Sequence, residues 1–327
     1  MLDVELREGI PSKGKFEEVL GTWDATLLSM TWKCPRSLYW FLRRVDYNGE
    51  AKPPYFVWGS AFQEILTKWY ELPSEQRLDD TENAIEKALH AGLTLWDLEG
   101  MDSPPNDTRA GLIKIFEAYV DFYPSEPWSL VKDGGELGWV WPLVNTPYML
   151  GGSLDGYINW PGYGKLILEN KTSGQYLSDS YVSQWAFSTQ ITNYIWYLTQ
   201  LHQKKSFGCL VNMITKNVPG PKAKWKTPRF VRSLETRSDI ALNRFEEQVR
   251  YTIEKAKQFW ENWYWPKTFD HVNCSGGPGI SACKMKRLCL LDEPHYTELD
   301  PPAMFDYLKY RDTAWKPWER QGEQSND

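Results

Sequence analysis

Residues Gly151–Gly174 read GGSLDGYINWPGYGKLILENKTSG. Two strand-like runs flank a turn at Pro161-Gly162, so the stretch reads as a β-hairpin. Leu166–Leu168 is continuously apolar, the mark of a strand buried on both faces. Side chains alternate along a strand. Glu169 and Lys171 therefore point one way, and Asn170 points the other way with Leu166 and Leu168. An acid and a base at the end of a buried strand are costly unless they are paired or used. Antiparallel pairing across the hairpin brings Asp155 toward Glu169. Two carboxylates and the backbone carbonyl of Asn170 form a hard oxygen site suited to Mg²⁺ or Mn²⁺. Lys171 beside them could orient an attacking water and steady charge on a phosphate. The plainer reading is a Glu–Lys pair at a strand end, with Asp155 in a turn.

Working outward, residues 128–172 read as three strands in a meander, rich in Gly, Val, Trp and Tyr. Upstream, the pattern predicts helices over 34–45 (Pro35 in the first turn), 59–72, 81–98 and 108–123, with a break at Pro104-Pro105. Downstream it predicts a helix over 183–201, a buried strand over 206–215, a strand over 228–235 and an amphipathic helix over 239–265. A cysteine-rich segment follows, then a loose polar tail over 312–327. This order points to an α/β protein with a mixed central sheet flanked by helices. The expectation is a single domain over 1–311 with a helical N-terminal elaboration.

The 327 residues are 42% hydrophobic and 24% charged, as in a globular protein. The formal net charge of -6 counts mildly against a nucleic-acid binder, although a local basic groove is what matters electrostatically. Aromatics reach 15%, with 18 Trp, and most are expected in the core. No signal-peptide-like apolar core and no long apolar run occur, so the expected location is the cytoplasm.

Leu154-Asp155, Glu169-Asn170-Lys171 and Gln190-x-x-x-Tyr194 together resemble the PD-(D/E)XK nuclease pattern, and more narrowly its RecB-like exonuclease branch. The resemblance implies a restriction-endonuclease-like core in which Asp155 and Glu169 bind the metal and Lys171 assists the attacking water. Gln190 and Tyr194 would shape the DNA side. Glu136 stands where the family often has a strand glutamate. The helix over 59–72 resembles the family's G-x-x-x-H helix, but Gln63, followed by Glu64, occupies the histidine position. A third protein ligand would have to come from Gln63 or Glu64.

Cys209 lies in an apolar strand and reads as core. Cys34, Cys274, Cys283 and Cys289 differ: three crowd one glycine-rich segment, and thiolates repel unless a cation gathers them. Four cysteines suit Zn²⁺ or a [4Fe–4S] cluster, and free thiols remain the plain alternative. The one-plus-three layout is similar to that of the iron–sulfur nucleases related to RecB, including AddB and the CRISPR-associated exonucleases. The resemblance implies a cluster tying the N-terminal segment to the C-terminal one.

The four histidines show no metal-ligand spacing, and no Walker loop occurs, so any helicase partner would be a separate chain. The basic run over 215–232 contains no acid. It reads either as a solvated loop or as a phosphate-contacting one, with Lys222, Lys224, Lys226 and Arg229 on the backbone and Trp225 stacking on bases. The expected function is a metal-dependent DNA exonuclease acting on single strands or ends. The alternatives are a nucleic-acid-binding accessory protein on the same scaffold, or a zinc protein with an incidental Glu-x-Lys.

Overall fold

The computed structural model describes residues 16–47, 52–103, 106–203, 208–217, 229–268, 270–276, 282–291, 300–311 and 315–319. In chain order the elements begin with α1 (Phe16–Val19), β1 (Thr22–Trp23), α2 (Ala25–Lys33), α3 (Pro35–Leu42) and β2 (Val45–Tyr47). Four helices follow: α4 (Pro54–Glu71), α5 (Ser74–Asp79), α6 (Thr81–Glu99) and α7 (Arg109–Phe122). Then come β3 (Ser129–Pro142), β4 (Met149–Trp160), β5 (Gly164–Ser173), α8 (Asp179–Ser183) and α9 (Thr189–His202). The chain continues with β6 (Cys209–Thr215), β7 (Phe230–Glu235), α10 (Asp239–Glu261), α11 (His271–Ser275), α12 (Lys286–Leu290), α13 (Pro301–Met304) and β8 (Leu308–Tyr310).

The fold is α/β, with a mixed six-stranded sheet ordered β1-β4-β5-β6-β7 and β3 paired to β4. β4 and β5 are antiparallel, β5 and β6 parallel, and β6 and β7 antiparallel. The parallel step needs a crossover, which α8 and α9 supply. Gly162 and Gly164 take positive φ in the tight turn between β4 and β5, a region closed to most side chains. That turn sets the register at Trp160↔Gly164 through Gly156↔Leu168.

Where one domain over 1–311 was expected, the backbone gathers into two compact units. The first draws on the described residues within Met1–Glu50, Val140–Gly151 and Asn243–Pro317. Its core is aromatic, with Phe16, Trp23, Trp40, Trp260 and Trp265 buried. The second draws on the described residues within Ala51–Trp139, Gly152–Leu242 and Trp318–Asp327. There α4 and α7 lay Trp58, Phe62, Ile65, Phe116 and Tyr119 against Ile158, Leu166, Leu168, Leu210 and Ile214 of the sheet. The even-numbered residues of β5 therefore face α4 and α7, as the alternation required.

Two local expectations are corrected. The helix expected from 183 begins at Thr189, because the Ser188 side chain accepts from the Ile191 N–H and caps it, while Gln184–Phe187 forms a 3-10 turn. Of the tail expected to be loose over 312–327, the described part is anchored at two points: Trp315 Nε1 donates to Asp24 Oδ2 at 2.9 Å, and Pro317 is buried; the rest of that expectation lies outside the described residues. Among the described residues no helix is long and apolar enough to cross a membrane.

Candidate functional site

β4 and β5 part where the acids begin. The register ends at Gly156↔Leu168, and one further step sets Asp155 opposite Glu169. There the Asn170 N–H leaves the ladder and donates to Asp155 Oδ2 at 2.7 Å. Glu169 is only 2% exposed. Its Oε1 takes an ion pair from Lys171 Nζ at 2.5 Å, while its buried Oε2 has no hydrogen-bond donor among the described residues. A buried carboxylate oxygen without a donor is expensive, and a bound cation is one group that relieves it.

Lys171 also donates to Gln190 Oε1 at 3.0 Å and lies 5.3 Å over the Trp185 ring. An ammonium can only donate. The Gln190 amide must therefore present its oxygen to Lys171 and its Nε2 to the Tyr194 hydroxyl, at 2.8 Å. Tyr194 in turn donates to the Ser153 carbonyl at 2.6 Å. Gln190 and Tyr194 share one face of α9 because residues four apart are neighbours on a helix. Gly152 makes this approach possible, since a Cβ there would stand 3.0 Å from Tyr194 Cε1.

On the opposite face of β5, Gln63 of α4 donates from Nε2 to the Asp155 carbonyl at 3.1 Å and accepts from Asn170 Nδ2 at 2.8 Å. Glu64 is one residue around the helix, and its charge is felt at Lys68. Of the two, Gln63 is the one placed at the site. Glu136 is near enough for its charge to act on Asp155.

Burial pushes the Asp155 carboxyl well above its ordinary value, and the Glu169 charge adds to the shift. Burial works to lower Lys171, but the charges of Glu169 and Asp155 outweigh it and hold the ammonium above its usual value. Burial, with the same two acids, raises the Tyr194 phenol well above normal, so it remains a donor. The constellation thus gathers more negative than positive charge in a poorly hydrated place, which suits a divalent cation.

Asp155 therefore titrates at higher pH in the folded chain than in the unfolded one. Between the unfolded and the raised folded value, the folded chain binds more protons than the unfolded one. This site therefore makes stability fall as pH rises upward from the ordinary aspartate range. Denaturant titrations of the metal-free chain across pH should show that fall, and Asp155→Asn should flatten it. Parallel profiles for parent and variant would refute the coupling.

In the first unit, Cys34 stands at the N-cap position of α3 with no side-chain cap bond, Cys274 lies in α11 and Cys289 in α12, while the Cys283 N–H donates to the Cys274 carbonyl at 3.1 Å. Burial raises the Cys283 thiol, and the neighbouring Cys34 and Cys274 add to it. Burial, with Cys34 and Cys283, pushes Cys289 up to about 11. Cys283 and Cys289 thus each have two of the other thiols as electrostatic neighbours, and none of the four is in a disulfide. Among the described residues no three His, Cys, Asp or Glu side chains are closed on one point as they stand. The donor set still fits a thiolate-held metal centre, since a cation would relieve that mutual repulsion. Cys209 is fully buried in β6, apart from these four.

Lys222, Lys224, Trp225 and Lys226 lie outside the described residues. Arg229 is described: it donates to the Tyr176 hydroxyl, with its guanidinium 4.9 Å over that ring. Sequence reading missed Asn212, Arg232 and Glu126, which join the site from the α4 face. The available signal was Asn212 itself, a polar residue inside the apolar run CLVNMI.

No family model and no curated protein matches the chain. Among solved structures, the crystal structure of SSO0001 resembles it with a TM-score of 0.30 and 13% identity, over 72% of this chain and 76% of that one. A likeness that slight carries no argument about fold or activity.

Proposed function

We propose that this chain is a divalent-cation-dependent DNA nuclease of PD-(D/E)XK type, acting on single strands or ends. The observation that carries the reading is the buried pair of Asp155 and Glu169, with the Glu169 Oε2 lacking a donor among the described residues, beside a lysine oriented by Gln190. Asp155, Glu169 and the Asn170 carbonyl would hold Mg²⁺ or Mn²⁺. When bound, the ion supplies a Lewis acid and lowers the pKa of water. Lys171 keeps its proton, so it acts as a fixed positive charge toward a phosphate rather than as a proton acceptor. Gln190 and Tyr194 hold that ammonium in place. Cys34, Cys274, Cys283 and Cys289 would hold a [4Fe–4S] cluster, with zinc as the alternative, tying together the N- and C-terminal segments of the first unit.

End-labelled single strands, duplexes and RNA, incubated with Mg²⁺ or Mn²⁺ and compared with Asp155→Asn, test this reading. Metal-dependent shortening absent from the variant supports it, and intact substrate with both metals opposes it. A second reading, a binding protein that has lost cleavage, is favoured by one observation. The Gln63 amide, at the position where the family has a histidine, is engaged at both ends by groups of the protein itself.

The basic run makes a separate prediction. Neutralising Lys222, Lys224 and Lys226 together should weaken single-strand binding. It should also flatten the dependence of log affinity on log salt by about 0.7 for each phosphate that is no longer neutralised. Fluorescence anisotropy at several salt concentrations measures the slope, and an unchanged slope returns the run to a solvated loop.

A further inference from the structure

Arg232 on β7 makes two bonds to Glu126, each at 2.6 Å, and donates from Nε to Asn212 Oδ1 at 3.2 Å. A guanidinium has donors and no acceptor. Asn212 is 0% exposed, so its amide cannot turn to water for a partner. With its oxygen committed to Arg232, its Nδ2 must donate, and it does so to Asn170 Oδ1 at 2.7 Å and to Tyr119 OH at 2.9 Å. Asn170 then has only its Nδ2 left for Gln63 Oε1, at 2.8 Å. Gln63 is left to donate from Nε2 to the Asp155 carbonyl, at 3.1 Å.

The donor-only character of one guanidinium thus sets the direction of three amides in series. The register supports the relay, because Asn170 pairs with Asn212 across β5 and β6 and both project toward α4. Arg232 is itself held by Glu126, by Tyr119 OH at 2.8 Å and by the Tyr123 ring 3.5 Å away. Reversing one amide would set oxygen against oxygen or nitrogen against nitrogen at the next junction, leaving a buried donor or acceptor unsatisfied there.

We infer that Asn212 and Arg232 are positioning residues for the carboxylate pair. Their relay makes Gln63 a donor that fixes the backbone at Asp155, rather than a metal ligand. This rests on the divalent-cation reading of Asp155 and Glu169. Asn212 and Arg232 touch neither carboxylate, and they act through Asn170 and Gln63.

The test is Mn²⁺ binding to the full chain, followed by isothermal titration without DNA. Asn212→Asp keeps the shape of the side chain but turns an acceptor toward Asn170 Oδ1. Arg232→Lys keeps a cation on Glu126 and removes the Nε donor. Ile214→Val, a core truncation on the same strand, controls for stability alone. Either relay variant that folds should bind Mn²⁺ roughly tenfold more weakly, while Ile214→Val binds as the parent does. Parental affinity in a folded Asn212→Asp or Arg232→Lys chain overturns the inference. So does loss of affinity in Ile214→Val matching that of the relay variants. A parent that takes up no Mn²⁺ overturns the metal reading, and this inference with it.

Discussion

Asp155→Asn is expected to reduce cleavage of single-stranded DNA by on the order of 10³-fold or more, while the metal-free chain becomes no less stable. The two halves have one cause. Asp155 sits where burial and the Glu169 charge both oppose its ionisation. Asparagine can still accept the Asn170 N–H that now reaches Oδ2 at 2.7 Å. It therefore removes the electrostatic cost and keeps the hydrogen bond. If the site is used, this is the expected trade of stability for a charged group in place. Rate assays with Mg²⁺ and Mn²⁺, alongside thermal melts in chelator, measure both quantities. Cutting at the parental rate would remove Asp155 from the site. A large fall in melting temperature would mean that the carboxylate serves the fold instead.

The second large effect concerns the thiols. If Cys34, Cys274, Cys283 and Cys289 hold [4Fe–4S], protein purified without oxygen should be brown, with broad visible absorbance from thiolate-held iron. Cys34→Ser should be colourless and melt lower by roughly 10 °C or more, since metal binding is folding free energy for such a site. Cys34 stands at the N-cap position of α3 without a side-chain cap bond, so a fall in melting temperature in Cys34→Ser would report the lost metal rather than a lost cap. Cys209→Ala should leave the colour intact and cost only a packing defect, because that thiol is fully buried in β6. A colourless parent with one equivalent of zinc would replace iron by zinc. A metal-free parent whose Cys34→Ser variant melts unchanged would end the cluster assignment.

Much of the candidate site was legible in one hairpin. Pro161-Gly162 announced the turn, alternation separated Glu169 and Lys171 from Asn170, and the spacing of Gln190 and Tyr194 put both on one helix face. These are rules of period and turn chemistry that operate within a few residues, so they survive without tertiary context. The start of α9 was misplaced for a related reason: apolar periodicity runs on through 184–187, and only the Ser188 cap marks the boundary. The division into two units was not legible, because each unit is assembled from segments far apart along the chain.

By itself the sequence determined the α/β order, the hairpin, the two faces of β5 and the acids and lysine at its end. Only the tertiary structure decided which partners those groups receive. Glu126, Arg232 and Asn212 meet Asn170 and Gln63 across the α4 face of the sheet, and no periodicity predicts such a meeting. The physical reason is that a strand's faces follow from local stereochemistry, whereas the direction of a buried amide is set by whatever lies beyond it. Here that is a guanidinium that can only donate.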